Sequence, residues 1–277
     1  MAIEQSLQAV EDLLRTVTAS SVPLLTDTTG HILSAGGKRL RPRLVLLAHA
    51  AAGGPLNEDV IPLAAAVEII HTATLVHDDI NDHGTLRRGR ETVNARWGGT
   101  FALLTGDFMF TKTYEIMAPY PPELNRILAK AAIHLVEGET LQIHAAREGR
   151  LDRETYYEII ALKTAALFVA CAELGAVSAG APQEWVSALS DYAYNLGLAF
   201  QITDDLLDLI ADSDQIGKNV GIDLAQGRGI AAVVENSSSG NSGSGGNNGN
   251  GSGAAVQVAA PAVPQDTAPG PLKESFL

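Results

Sequence analysis

One cysteine, Cys171, stands in 277 residues. It rules out an intrachain disulfide, fits a reducing cytosol and is most simply a core residue. Cations are also scarce: 19 Lys+Arg face 32 Asp+Glu, a formal charge of −13, which argues against a nucleic-acid footprint. No uninterrupted apolar run reaches transmembrane length, since Glu68 and His71 break Val60 to Val76 and Glu173 breaks Ala165 to Ala181. The start, MAIEQSLQAVEDLL, is an acidic amphipathic helix and not a secretory signal, so a cytoplasmic protein is expected. Convincing period-two alternation is absent, which leaves little for a sheet.

What remains is helical. The chain is 46% hydrophobic but only 5% aromatic, so Ala and Leu dominate and favour helices. Ile3, Leu7, Val10, Leu14 and Val17 recur at helical spacing. Residues 1–235 therefore read as one all-α domain with short loops. From Asn236 to Gly253 the chain is almost wholly Gly, Ser and Asn, and Ala254 to Pro271 is rich in Ala, Val and Pro. Such a segment offers too little apolar area to order itself, so residues 236–277 are expected to be disordered.

Two aspartate clusters share one spacing: Asp78-Asp79-Ile80-Asn81-Asp82 and Asp204-Asp205-Leu206-Leu207-Asp208. On a helix, positions i and i+4 share a face, so Asp78 and Asp82 point one way, as do Asp204 and Asp208. Like charges at that spacing destabilise a helix, and their apolar surroundings add a burial cost. A hard divalent cation with water and phosphate oxygens relieves both. One such cluster alone is more often a solvated helix face, but two in apolar contexts favour metal. Neither has the alternating pattern and central glycine of an EF-hand loop.

The few cations are clumped: Lys38, Arg39 and Arg41 in Gly36 to Pro42, Arg87, Arg88 and Arg90 behind the first cluster, and Lys218 behind the second. Arg suits bidentate phosphate recognition and Lys a point-charge contact, and Gly36-Gly37 lets backbone approach an anion. Pro42 fits the first turn of a helix running towards Gly53. Carboxylates for metal beside cations for phosphate imply diphosphate chemistry.

The motifs GGKRLRP (36–42), EIIHTATLVHDDIND (68–82), RRGRETVN (87–94), GD (106–107), GETLQ (138–142), KTA (163–165), FQITDDLLD (200–208) and GKNVGIDLAQG (217–227) occur in that order. In them the chain resembles the trans-isoprenyl diphosphate synthases, or polyprenyl synthetases, from about Leu24 to Val234. The resemblance implies an isoprenoid synthase-type helical bundle around a central cavity. It implies a magnesium-dependent condensation of an allylic prenyl diphosphate with isopentenyl diphosphate, and a homodimer. Asp78, Asp82 and Asp204 would be the Mg2+ ligands, with Asp79, Asp205 and Asp208 as outer or water-mediated partners. Arg87, Lys163 and Lys218 would grip the allylic diphosphate. Lys38, Arg41, His71 and Arg88 would hold isopentenyl diphosphate. Lys163, Thr164 and the Gln201 carbonyl would face the developing cation. His77 would support the aspartates, Asp107 would be structural, and Asp223 would pair with Lys218. Membrane involvement is expected only at the surface, for product release. Family members continue with further helices after Asp223-Leu224, and the composition beyond residue 235 offers no counterpart to them.

Family members stop elongation with bulky residues below the first cluster. Here those positions hold Ala73 and Thr74, both small, so a product longer than geranylgeranyl is expected. A deeper floor would come from Phe108, Met109 and Phe110, or from Leu135. The rival readings are a geranylgeranyl or farnesyl synthase, a terpene cyclase or squalene-type synthase, and a non-catalytic subunit of a heteromeric synthase. The cyclase has no use for a second, non-allylic diphosphate site, and the subunit typically carries degraded aspartate clusters.

Overall fold

The computed structural model describes residues 2–149, 151–210 and Val233, all within one compact unit, Met1–Asn241. Lys218, Asp223 and the 236–277 segment lie outside the described residues. Among the described residues up to Ile210, ten α-helices run in order: α1 Ile3–Val17, α2 Pro23–Ser34, α3 Leu40–Ala51, α4 Ile61–Asn81, α5 Val93–Trp97, α6 Gly99–Met117, α7 Pro122–Glu148, α8 Arg153–Ile160, α9 Ala166–Ser178 and α10 Gln183–Ile210. A hairpin of β1 Leu86–Arg87 and β2 Arg90–Glu91 joins α4 to α5, and a π-turn, Ala161–Ala165, joins α8 to α9.

The helix starts follow local chemistry. Prolines open α2 and α7, where the missing N–H has no intrahelical partner. Thr92 and Asp152 cap α5 and α8 by accepting from the backbone N–H of Ala95 and Thr155 at 3.0 and 2.8 Å. Glycine at 149, with φ 63°, ends α7 in the left-handed conformation.

α4 is the centre of the bundle. It is apolar nearly all round, with Leu63 to Ile70 all buried, as a core helix should be. It packs on α6, α1 and α3, while α9 bridges α3, α7 and α10. α1 contributes a stripe, Leu7, Val10 and Leu14, at the spacing its sequence predicts. Burying a side chain such as Leu63, at 0% exposure, contributes on the order of 2 kcal/mol.

Two departures from the sequence reading have simple causes. The hairpin was not expected, because two-residue strands are too short to show alternation. The run Arg153–Ser178, 26 residues with a mean hydropathy of 1.8 in its most apolar 18-residue window, is long and apolar enough to cross a membrane by length and composition. Sequence alone stopped that run at Glu173 and began it at Ala165, but the helix starts earlier, through the π-turn. Two thirds of its most apolar window (67%) is buried inside the protein, and Glu173 accepts from Ser190 Oγ on α10 at 2.8 Å, so it is a core helix.

Candidate active site

The carboxyl ends of α4 and α10, the hairpin, the middle of α7 and the π-turn enclose a cavity of about 500 Å³. Asp78 from α4 and Asp204 from α10 both line it, as do Arg41, Arg87, Arg88 and Lys163. His71, His77, Glu139, Thr164 and Gln201 are among its other polar lining residues, and Leu75, Leu135 and Phe200 are among its apolar walls.

The first aspartate cluster is split by the helix into different tasks. Asp78 faces the cavity, and burial pushes its carboxyl up to about 6 against the opposing pull of Lys163. Asp79 turns inward, buried, and takes Arg87 at both oxygens: Nε at 3.0 and 3.1 Å and Nη2 at 2.8 Å. Burial disfavours the Arg87 charge, but the Asp79 pair outweighs it and raises its pKa. Asp82 is the residue after α4, its N–H bonded to the Asp78 carbonyl at 2.8 Å, and it lies outside the cavity wall.

The second cluster divides in the same way. Asp204 is exposed and lines the cavity. Asp205 is buried and accepts from Tyr156 Oη and Gln201 Nε2, each at 2.7 Å. Asp208 is half-buried and not in the wall. Among the described residues no three His, Cys, Asp or Glu side chains close on one point. A magnesium ion, which keeps several waters and takes one or two carboxylates plus substrate phosphate oxygens, fits Asp78 and Asp204 on those terms.

The two cation clumps meet. The hairpin turn, Arg88 at φ 53° and Gly89 at φ 72°, is of the mirror-image kind that two-residue hairpins favour. It brings Arg88 onto Gly37, where a Cβ would stand 2.8 Å from Nη1. Arg90 fastens the hairpin to α2 through Ser34 Oγ at 2.9 Å and His31 Nδ1 at 3.3 Å. Arg41 is half-buried over the Phe168 ring, 5.0 Å from its centroid, and its buried Nε has no hydrogen-bond partner among the described residues. Burial lowers its pKa, with Glu68 opposing. A buried, unsatisfied guanidinium donor on a cavity wall is what an incoming diphosphate would satisfy. Burial, followed by Arg41, Arg88, Arg87 and Arg39, holds His71 well below the usual imidazole range, so it is neutral. Lys38, by contrast, is exposed and is not part of the cavity wall.

The π-turn widens the helix so that consecutive residues, Lys163 and Thr164, both reach the cavity. Lys163 Nζ stands 2.5 Å from Glu139 Oε2 and 3.4 Å from Gln142 Oε1. Burial works against its charge, but Asp78 and then Glu139 outweigh it and raise its pKa. Thr164 Oγ1 donates to Gln201 Oε1 at 2.7 Å. Sequence reasoning missed Glu139 and Tyr156. Glu139 was legible as the one acid inside GETLQ, whereas no local signal ties Tyr156 to the second cluster.

His77 does not bond the aspartates beside it. Its Nε2 lies 3.2 Å from the Leu103 carbonyl and 3.6 Å from Asp107, and its ring tilts against Phe110.

Below this cavity lies a second, of about 600 Å³, lined by Ile70, Thr113, Met117, Leu128 and neighbours, and Phe110 and Val136 belong to both walls. Thr74 lines the upper cavity, but Ala73 does not line either. It sits one step further round α4, fully buried in the core at 0% exposure. Of the deeper candidates, Phe110 and Leu135 line the upper cavity, Met109 is buried in the core, and Phe108 lies outside both walls.

The sequence pattern of the polyprenyl synthetases matches residues 22–243. The chain is 42% identical over 226 residues to heptaprenyl diphosphate synthase component 2 of Geobacillus stearothermophilus, covering 81% of this chain and 70% of that protein. It is 41% identical over 210 residues to octaprenyl diphosphate synthase of Escherichia coli K12, covering 76% and 65%. The chain thus spans about two thirds of the length of these curated relatives. Its structure superposes on a polyprenyl synthase from Caulobacter crescentus CB15 complexed with calcium and isoprenyl diphosphate, with a TM-score of 0.81 at 41% identity over 86% of this chain and 73% of that one. A match of this extent in sequence and in all-α architecture shows that the chain belongs to the polyprenyl synthetase family of trans-isoprenyl diphosphate synthases.

Proposed function

We propose that the chain condenses an allylic prenyl diphosphate with isopentenyl diphosphate, with magnesium, to give an all-trans polyprenyl diphosphate longer than geranylgeranyl. The observation that carries this reading is the shared wall. One cavity sets Asp78 and Asp204 against four cationic side chains, and it adjoins an apolar cavity through Phe110 and Val136.

Chemically, the allylic carbon–oxygen bond breaks and the diphosphate leaves. The double bond of isopentenyl diphosphate attacks the allylic carbon, and a proton lost from the adjacent carbon regenerates an allylic diphosphate. Asp78 and Asp204, with Asp82 nearby, would hold magnesium, which when bound would supply positive charge for the departing diphosphate. Arg87 and Lys163 hold that group, each already fixed by a carboxylate, Asp79 and Glu139. Arg41, Arg88 and neutral His71 hold isopentenyl diphosphate, and Lys38 serves its outer edge. Thr164 and Gln201 place oxygen atoms towards the developing cation. The growing tail leaves past Thr74 and Phe110 into the lower cavity. Exposed Phe101, Leu103 and Leu104 on α6 support a homodimer, and cytoplasmic placement with product release at a membrane surface completes the reading.

The test is purified protein with magnesium, radiolabelled isopentenyl diphosphate and a farnesyl or geranylgeranyl primer, with product length read by chromatography. Long all-trans diphosphates are expected. A geranylgeranyl product would mean that Phe110 closes the upper cavity. A cyclised or head-to-head hydrocarbon would replace the reading with a cyclase or squalene-type enzyme. No incorporation by a folded protein would leave a subunit that requires another chain.

A further inference from the structure

Three hydrogen bonds, each of 2.7 Å, run from α8 through α10 to the π-turn. Tyr156 Oη donates to Asp205 Oδ2, Gln201 Nε2 donates to Asp205 Oδ1, and Thr164 Oγ1 donates to Gln201 Oε1. Tyr156, Asp205 and Thr164 are buried, at 4%, 8% and 5% exposure, whereas Gln201 and Thr164 line the cavity. The string therefore begins in the protein and ends at the reaction space.

Its direction follows from what each group is able to do. A carboxylate only accepts, so the Gln201 amide must turn its NH2 to Asp205. Its carbonyl is then the end that meets Thr164, whose hydroxyl hydrogen is spent on that carbonyl. What the two residues retain for the cavity is oxygen lone pairs. Gln201 and Asp205 are four residues apart on α10, a spacing at which such a pair is reinforced by the helix itself. Tyr156 comes from a different helix and fixes the carboxylate from its other side, so Asp205 is held in place from two directions.

We propose that Tyr156 and Asp205 are positioning residues of the second aspartate cluster. They act through Gln201 to keep the negative end of its amide dipole, with the Thr164 oxygen, towards the allylic carbon. The assignment rests on the condensation proposed above. It gives Asp205 a task other than cation binding and gives Tyr156, which does not line the cavity, a catalytic consequence. Preorganised dipoles of this kind act on the charge that develops and not on the bound substrate.

The test is Tyr156→Phe, which removes one oxygen and keeps the ring packed beside Ile159 and Ile160. Turnover is expected to fall about tenfold, within the usual range for outer partners of a site, with KM for both substrates unchanged. The distinguishing readout is inhibition by two primer analogues. Binding of an analogue with an ammonium centre at the allylic position should weaken about tenfold. Binding of a thiolodiphosphate analogue, which carries the same diphosphate but no cationic centre at the allylic position, should not change. In Gln201→Leu the added Tyr156→Phe change should cost nothing further. Should Tyr156→Phe fail to fold, Asp205→Asn tests the same point, since an amide at 205 bonds either end of Gln201. The same selective loss of ammonium binding is then expected, with the magnesium requirement unchanged. Equal weakening of both analogues, native turnover in Tyr156→Phe, or a raised magnesium requirement in Asp205→Asn each overturns the inference. Absence of turnover in the unsubstituted protein would instead overturn the proposed reaction.

Discussion

The Gly138 backbone touches the backbone of Lys163: a Cβ at 138 would stand 2.6 Å from the Lys163 nitrogen and 2.9 Å from the Leu162 Cβ. Gly197 on α10 makes a similar approach from another helix, with a Cβ there 2.6 Å from the Ala165 Cα. The π-turn is thus held between two helices that come close because neither has a side chain at the contact. Both glycines are inside helices, where Gly→Ala ordinarily stabilises by about 1 kcal/mol. Here the sign should reverse. Gly138→Ala must push backbone against backbone, and the expected result is a loss of about 1–3 kcal/mol. Turnover should fall with it, because Lys163 and Thr164 move. Urea unfolding that shows Gly138→Ala to be more stable than the native protein would refute the contact.

The Asp79–Arg87 pair makes a prediction about the first aspartate cluster. Asp79 is spent on Arg87 inside the protein, with side-chain exposures of 5% and 20%. Removing one partner leaves a largely buried charge, so Asp79→Ala should cost about 3 kcal/mol or more. Asp78→Ala should cost less, because it removes a carboxyl that burial already penalises. It should nonetheless abolish turnover, with helicity by circular dichroism intact. The double change Asp79→Leu with Arg87→Met should recover most of the stability without recovering activity. If Asp78→Ala destabilises more than Asp79→Ala, the division of labour is misread.

His71 gives a pH dependence with a defined sign. Its folded pKa lies well below the ordinary 6.5 through burial and then the surrounding arginines. Above that ordinary value both folded and unfolded forms are neutral, and His71 contributes no slope. As pH falls below it, the unfolded chain takes up a proton that the folded protein refuses, and stability declines. The limiting slope is about 1.4 kcal/mol per pH unit, so roughly 2 kcal/mol is at stake between pH 6.5 and 5. His71→Gln should flatten that part of the curve. Parallel urea midpoints for the two proteins at pH 5 and pH 7.5 would show that His71 is not held neutral.

The ordering of residues along the chain told much of this in advance. An i, i+4 pair of acids inside apolar sequence fixed α4 and α10 as the helices that carry carboxylates, and Pro42 lies in the first turn of α3 as its position implied. Division of labour within each cluster was less accessible. Asp78 and Asp79 are adjacent in sequence, and only the rotation of α4, set by its packing on α6, turns one to the cavity and the other to Arg87. The π-turn was not visible at all. It depends on Gly138 and Gly197, which are remote in sequence from Lys163 and meet it only in the folded bundle. Lys38 is the converse case: its motif is in place, but its side chain is exposed and outside the cavity wall, which the motif alone does not reveal.

Product length tests the path below the aspartates. Thr74 lies one turn before Asp78 and lines the upper cavity, and Ile70, one turn further back, lines the lower one. Ala73 is turned away into the core at 0% exposure, where its neighbours include no cavity. The two adjacent positions should therefore respond differently to the same ring. Thr74→Phe places an aromatic group where the tail must pass, and the product should shorten towards farnesyl or geranylgeranyl with the first condensation preserved. Ala73→Phe forces extra volume into a close-packed core, so it should destabilise by about 1–3 kcal/mol and leave the length of whatever product is made unchanged. Phe110→Ala, which opens the wall common to both cavities, should lengthen the product. The measurement is chromatography of products from the three variants beside urea unfolding. Shortening by Ala73→Phe with none by Thr74→Phe would place the tail on the other side of α4 and discard the lower cavity as its route.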